Sequence, residues 1–229
     1  MRNVQEISIA SGRASLRASL VLPEAPRGLV LLPQAGGVHP GCRHELAARI
    51  QEEQGFATLL VNLVSFRDPD NGSVQDNVPL LGERLLDCLA WIRREPLLAP
   101  LPCGILAAGS AVPAALRASA QRDAQVKALV CRGGLPDLAG ALYLETLSCP
   151  TLLLFGAGDT RGQAAGLRCQ DKAPRCCRVE IIPGADREFT HPGHFDTAAR
   201  LASRWLLGHM PFAPAGADAE NLPPGRLKP

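Results

Sequence analysis

Three observations predict an α/β fold with a mainly parallel, twisted sheet and helices on both of its faces. Continuous apolar runs recur at residues 28–32, 56–61, 104–108, 126–131 and 151–155, the pattern of strands buried on both sides. Helical stretches separate these runs, so strands and helices alternate along the chain, which is how parallel sheets are wound. The 229 residues, 46% of them hydrophobic, suffice for one domain with a full core.

Each element has its own signal. Residues 4–10 and 14–22 alternate polar and apolar around the turn Ser11-Gly12-Arg13, which predicts an N-terminal antiparallel hairpin. The run 28–32 is the first buried strand, 42–53 is helical, and 56–61 is a second buried strand. From 78 to 94, Leu80, Leu81, Leu85, Leu89 and Ile92 share one helical face, and Pro96 stops the helix. The strand 104–108 leads into a helix over 112–120, and the strand 126–131 follows. The strand 151–155 runs into Gly156-Ala157-Gly158-Asp159. The last strand, 178–182, passes through Pro183-Gly184 to a closing helix over 195–207. Residues 1–210 therefore read as a single domain. Residues 211–229, rich in Pro, Ala and Gly, read as a flexible tail with too little apolar side chain to pack.

Composition narrows the function classes. A net charge of +2 with scattered basic residues gives no footprint for nucleic acid. The N-terminal residues lack the apolar core of a signal peptide, and no run approaches membrane-spanning length, so a cytoplasmic protein without membrane attachment is expected. Eight cysteines are spread without C-x-x-C or Cys/His ligand spacing, and several fall within apolar patterns. They read as reduced core thiols, with no metal site and no cofactor.

The segment Cys103-Gly104-Ile105-Leu106-Ala107-Ala108-Gly109-Ser110-Ala111 is a buried strand opening into a helix, where a G-x-S-x-G elbow would lift its central residue over the sheet end. Further pieces are Leu81-Gly82-Glu83-Arg84-Leu85-Leu86-Asp87, Arg132-Gly133-Gly134-Leu135-Pro136-Asp137-Leu138-Ala139-Gly140, Cys149-Pro150-Thr151-Leu152-Leu153-Leu154 and Ile182-Pro183-Gly184-Ala185. In this order the chain resembles the α/β-hydrolase fold, and in particular the dienelactone hydrolase-like family, over residues 4–208.

The resemblance implies a nucleophile on the elbow, a histidine base, an acid that orients it and backbone donors for an oxyanion. It places Asp159 as the acid. The nucleophile position falls on Gly109, which accepts φ > 0 but offers no attacking atom. The base position falls on Arg187, in Asp186-Arg187-Glu188-Phe189, where the family has approximately T-H-x-F. An arginine stays protonated and cannot act as general base. Relatives commonly carry H-G-x-G after the first parallel strand; here Pro33-Gln34-Ala35-Gly36-Gly37 stands there.

Neighbouring residues offer substitutes. Ser110, one residue past the elbow centre, either supplies a displaced hydroxyl or starts the helix. His191 or His194 stands beyond the expected base, either near Asp159 or in a surface loop. Cys131 ends a strand as a packed thiol or a weakly activated one. His39 and His44 either line the crevice or are solvated. Arg187 either forks onto Asp159 or presents a fixed cation to a carboxylate or phosphate. The leading expectation is a noncatalytic homologue that binds a small-molecule ligand or a protein partner, with Gly109, Arg187, Gln34 and Ala35 at the site. One alternative is a hydrolase of small esters or lactones using Ser110, His191 and Asp159. Another is a non-hydrolytic lyase or isomerase in the same pocket.

Overall fold

A computed structural model describes residues 3–35, 42–68, 71–122 and 125–210. The expected tail at 211–229, together with His39 and Gly36-Gly37, lies outside the described residues. Eight strands among the described residues form one sheet in the order β1-β2-β4-β3-β5-β6-β7-β8. The hairpin strands are β1 (Val4–Ser11) and β2 (Ala14–Val21), antiparallel to each other. β2 continues antiparallel to β4 (Ala57–Asn62). From there every pairing is parallel: β3 (Leu29–Gln34), β5 (Cys103–Ala108), β6 (Val126–Arg132), β7 (Thr151–Gly156) and β8 (Cys177–Ile182).

Alternation along the buried strands divides the core in two. Leu29 and Leu31 join one apolar cluster, with Leu81, Leu85 and Leu89 of α3 (Val78–Ile92) and Val112 and Leu116 of α4 (Ala111–Gln121). Val30 and Leu32 point the other way, toward Ala47 and Ala48 of α1 (Cys42–Glu53) and Ala198, Ala202 and Leu206 of α7 (Pro192–His209). A period of two in each strand thus feeds both helical layers. Asn77 caps α3 by accepting the Leu80 amide at 3.1 Å, and the helix ends at Ile92, ahead of Pro96.

Two differences from the sequence expectation have physical causes. α6 (Thr160–Lys172) is an additional helix between β7 and β8. It buries only small residues, Gly162, Ala165, Gly166 and Cys169, so it lacks the apolar stripe by which an amphipathic helix is recognised. The Phe155 ring lies against Gly166, and burying such a ring contributes ~1.5–3 kcal/mol. The closing helix starts earlier than its apolar pattern, at Pro192, because the His191 ring accepts the Gly193 amide and proline suits a first helical position. The short helices α2 (Asn71–Gln75) and α5 (Ala141–Glu145), and a 3₁₀ turn over Pro136–Ala139, complete the connections. Among the described residues no helix is long and apolar enough to cross a membrane.

β3 pairs with β4 on one side and β5 on the other, so the connections leaving β3 and β5 part in opposite directions. That parting opens a crevice at the carboxyl ends of the strands, where open α/β sheets place their ligands.

Candidate ligand-binding crevice

The crevice encloses about 610 Å³, within the range of small-molecule sites. Its wall begins at the turn after β5. Gly109 adopts φ +56, its amide donates to the Arg132 carbonyl at 3.2 Å, and its own carbonyl accepts the Val112 amide at 3.2 Å. Among the described residues a Cβ at Gly109 would meet nothing within 4 Å, so a nucleophile standing there would project into open space. Ser110 follows in helical conformation (φ −66, ψ −19), exposed, and its hydroxyl makes no capping hydrogen bond. Gly134 braces the turn from β6: its φ is +77, and a Cβ there would collide with the Gly109 carbonyl oxygen.

The opposite wall is the loop after β8. Asp186 accepts the amides of Glu188 (2.9 Å) and Thr190 (3.0 Å) and the Thr190 hydroxyl, and these donors hold its carboxyl below the usual range. The knot drives Phe189 into the left-handed region (φ 53) and buries its ring, which costs ~1–2 kcal/mol for a non-glycine residue. Arg187 and Glu188 project from the same turn and pair at 3.7 Å, both well exposed.

Arg132, at the end of β6, lies between these walls. Its guanidinium stands 4.7 Å over the Phe195 ring and 6.0 Å from that of Phe189. Burial and the nearby Arg43 charge push its pKa down to about 10, partly offset by Glu188; it remains a cation at neutral pH. Among the described residues its guanidinium has no hydrogen bond or ion pair. His44 of α1 borders both this crevice and a small apolar cavity of about 20 Å³. Burial, then the Arg132 charge, pushes its pKa down to about 4, so the ring is neutral, and its buried Nε2 has no partner among the described residues.

The predicted site residues separate. Gly109, Ser110, Arg187 and Ala35 line the crevice. Gln34 is buried at the end of β3, where its carbonyl accepts the Leu63 amide at 2.8 Å, and is not among the lining residues. Asp159 caps α6, its Oδ1 accepting the Gly162 amide at 2.9 Å, while its buried Oδ2 has no partner among the described residues. Arg187 pairs with Glu188, and no fork onto Asp159 forms. His191 caps α7 and packs against the His194 ring at 5.0 Å. Neither Asp159 nor His191 lines the crevice. Cys131 is a fully buried thiol whose pKa burial pushes up. Among the described residues no group of three or more His, Cys, Asp or Glu side chains is placed to hold a metal ion.

Sequence reasoning overlooked Arg132 and Arg43 as site residues. The signal for Arg132 was available: a charged residue closing a buried strand, directly before Gly133-Gly134.

A dienelactone hydrolase from Anabaena variabilis superposes with a TM-score of 0.86 at 30% identity, covering 91% of this chain and 99% of that one. The chain belongs to the dienelactone hydrolase-like family of the α/β-hydrolase fold. Est1E from Butyrivibrio proteoclasticus shares this family's fold at a TM-score of 0.75 and 12% identity, covering 89% of this chain and 98% of that one. A Mycobacterium tuberculosis protein named "Putative phosphoribosyl transferase" is 34% identical over 207 residues, which is 90% of this chain. This family member spans 46% of the length of that curated relative. A scan against family models gives no match.

Proposed function

We propose that this family member is a cytoplasmic, non-hydrolytic protein that keeps the crevice of its relatives as a ligand-binding site. One observation carries the reading. At the turn where a nucleophile would stand, Gly109 holds the required φ of +56 beneath open space and supplies no attacking atom. Two others support it: Arg187, which the resemblance sets at the base position, is an exposed cation, and Asp159 caps a helix. Among the described residues seven cysteines take part in no disulfide, which supports a reducing compartment. The phosphoribosyl transfer named for the mycobacterial protein is not part of this proposal, because the chain spans 46% of that protein.

A second reading, a hydrolase of small esters or lactones with a displaced Ser110, is favoured by the exposed, uncapped Ser110 hydroxyl on the crevice wall. One experiment separates the two. The purified protein is treated with a fluorophosphonate probe and assayed on short aryl esters, beside Ser110→Ala. The first reading expects neither a Ser110 adduct nor turnover above the Ser110→Ala control. A Ser110 adduct with Ser110-dependent turnover would overturn it.

A further inference from the structure

The crevice carries three arginines from three separate segments: Arg43 on α1, Arg132 at the end of β6 and Arg187 in the loop after β8. Among the described residues Glu188 is the one acidic residue in its lining, and it is exposed and pairs with Arg187. Arg43 and Arg132 are neighbouring cations, close enough for the Arg43 charge to act on Arg132, with Glu188 offsetting part of it. Holding a largely buried guanidinium beside a like charge is unfavourable, and an anion bound between them would relieve that cost. The turn at Gly109 adds donors on the same wall. The Ser110 amide opens α4 ahead of its own hydrogen-bond ladder on the crevice wall, and the Ser110 hydroxyl makes no capping hydrogen bond. With no side chain on Gly109, the space in front of these groups is open.

We propose that the crevice binds a small phosphate monoester, its phosphate held between Arg132, Arg43 and the opening turn of α4. This rests on the reading of the crevice as a ligand site. A phosphate suits the arrangement better than a carboxylate for two reasons. Its charge approaches −2 at neutral pH, which offsets both arginines. Its oxygens also point in tetrahedral directions toward donors on separate walls, whereas one guanidinium fork satisfies a planar carboxylate. The neutral His44, with its unpartnered Nε2, lies on the wall shared with the apolar cavity and offers a hydrogen bond to an uncharged part of the ligand.

The test is equilibrium binding of phenyl phosphate to the full chain by calorimetry at low salt, with benzoate and inorganic phosphate measured beside it. Phenyl phosphate is expected to bind at least about tenfold more tightly than benzoate, and Arg132→Met to weaken it by at least about tenfold. Arg43→Gln changes a half-buried helix residue; it is expected to weaken binding in the same direction and guards against misfolding of the Arg132 variant. Between about pH 5 and about pH 7 phenyl phosphate gains affinity as its second proton leaves, with a pKa near 6. The groups facing it are Arg43, His44, Arg132, Arg187 and Glu188; benzoate experiences the same groups, so its profile subtracts their contribution. No binding at millimolar phenyl phosphate, benzoate binding as tightly, or affinity unchanged in both arginine variants would each overturn the proposal. Binding does not require turnover. Ser110-dependent ester hydrolysis would remove the non-hydrolytic reading and leave phosphate binding standing, and absence of both would remove only the phosphate.

Discussion

Two glycines at the crevice, Gly109 and Gly134, have similar positive φ values, +56 and +77, but different surroundings, and the contrast tests the geometry of the elbow. A Cβ on Gly109 meets nothing within 4 Å, so Gly109→Ala has only the left-handed backbone to oppose it. That costs ~1–2 kcal/mol, of which several tenths return through the stiffer unfolded chain, leaving about 1 kcal/mol. Gly134→Ala carries the same backbone cost. In addition, its Cβ would overlap the Gly109 carbonyl oxygen and come within 3.2 Å of that carbonyl carbon and 3.1 Å of Val112 Cβ. Two of these are backbone atoms that no rotamer change moves aside, so overpacking adds ~1–3 kcal/mol and brings the total to about 3 kcal/mol. At ~2–4 °C per kcal/mol for a domain of this size, Gly109→Ala lowers Tm by about 2–4 °C and Gly134→Ala by about 6–12 °C. Urea unfolding followed by circular dichroism, with the slope m compared among the three proteins, measures both losses. Equal losses, or a larger loss at Gly109, would refute the open space above the elbow.

Three further outcomes follow from the same structure. His44 has its pKa pushed down to about 4, so the unfolded chain binds its proton first; stability falls as pH drops from about 6.5 to about 4. The full loss is roughly 3 kcal/mol, and His44→Phe is expected to flatten that part of a stability–pH curve; an unchanged slope would count against a buried neutral ring. Asp68 forks onto Arg84 at 2.6 and 2.8 Å, with both side chains at or below 9% exposure, and Arg84 holds its carboxyl below the usual range. Asp68→Asn is expected to cost about 1.5–3 kcal/mol in urea unfolding at neutral pH. The lowered pKa makes the wild-type stabilisation fully present above the unfolded value of about 3.9 and lost as pH falls through the folded one, so the variant lacks this acid-side slope. Finally, Gly109→Ser combined with Arg187→His supplies a nucleophile and a base while Asp159 keeps an unpartnered Oδ2. Aryl-ester turnover is expected to rise at least about tenfold over background and to disappear on adding Asp159→Asn; no gain would mean that Asp159 does not reach the base position.

The fold was legible because buried parallel strands are written locally. The strand 28–32, the helix 42–53 and the strand 151–155 all fall within two residues of their observed bounds. α6 was illegible for a complementary reason: its buried face is glycine, alanine and cysteine, so its packing on Phe155 depends on small size rather than on apolar periodicity. At the site, Gly109 was readable because a positive φ at a strand-to-helix turn is a local requirement. The meeting of Arg43, Arg132 and Arg187 was not readable, since their segments are separated by scores of residues and converge only through the strand order. His44 shows the same limit. Its position near a helix start suggests solvent, and only the packing of α1 against the sheet buries its Nε2.

The loop after β8 ties Arg187 to the cationic crevice. Asp186 gathers the amides of Glu188 and Thr190, and that knot places Phe189 in a costly left-handed conformation with its ring buried near the Arg132 guanidinium. A strained residue of this kind persists only where the surrounding contacts over-determine it. Here they are the Asp186 hydrogen bonds on one side and the apolar cluster containing Phe195 on the other. Arg187 lies between those anchors and lines the same open space as Arg132. A histidine at that position would leave the crevice with one fewer fixed positive charge, and a serine at Gly109 would fill the space in front of the α4 amides. Under the proposed function, Gly109 with its open space and the neighbouring arginines together favour a crevice that holds an anion over one that attacks an ester.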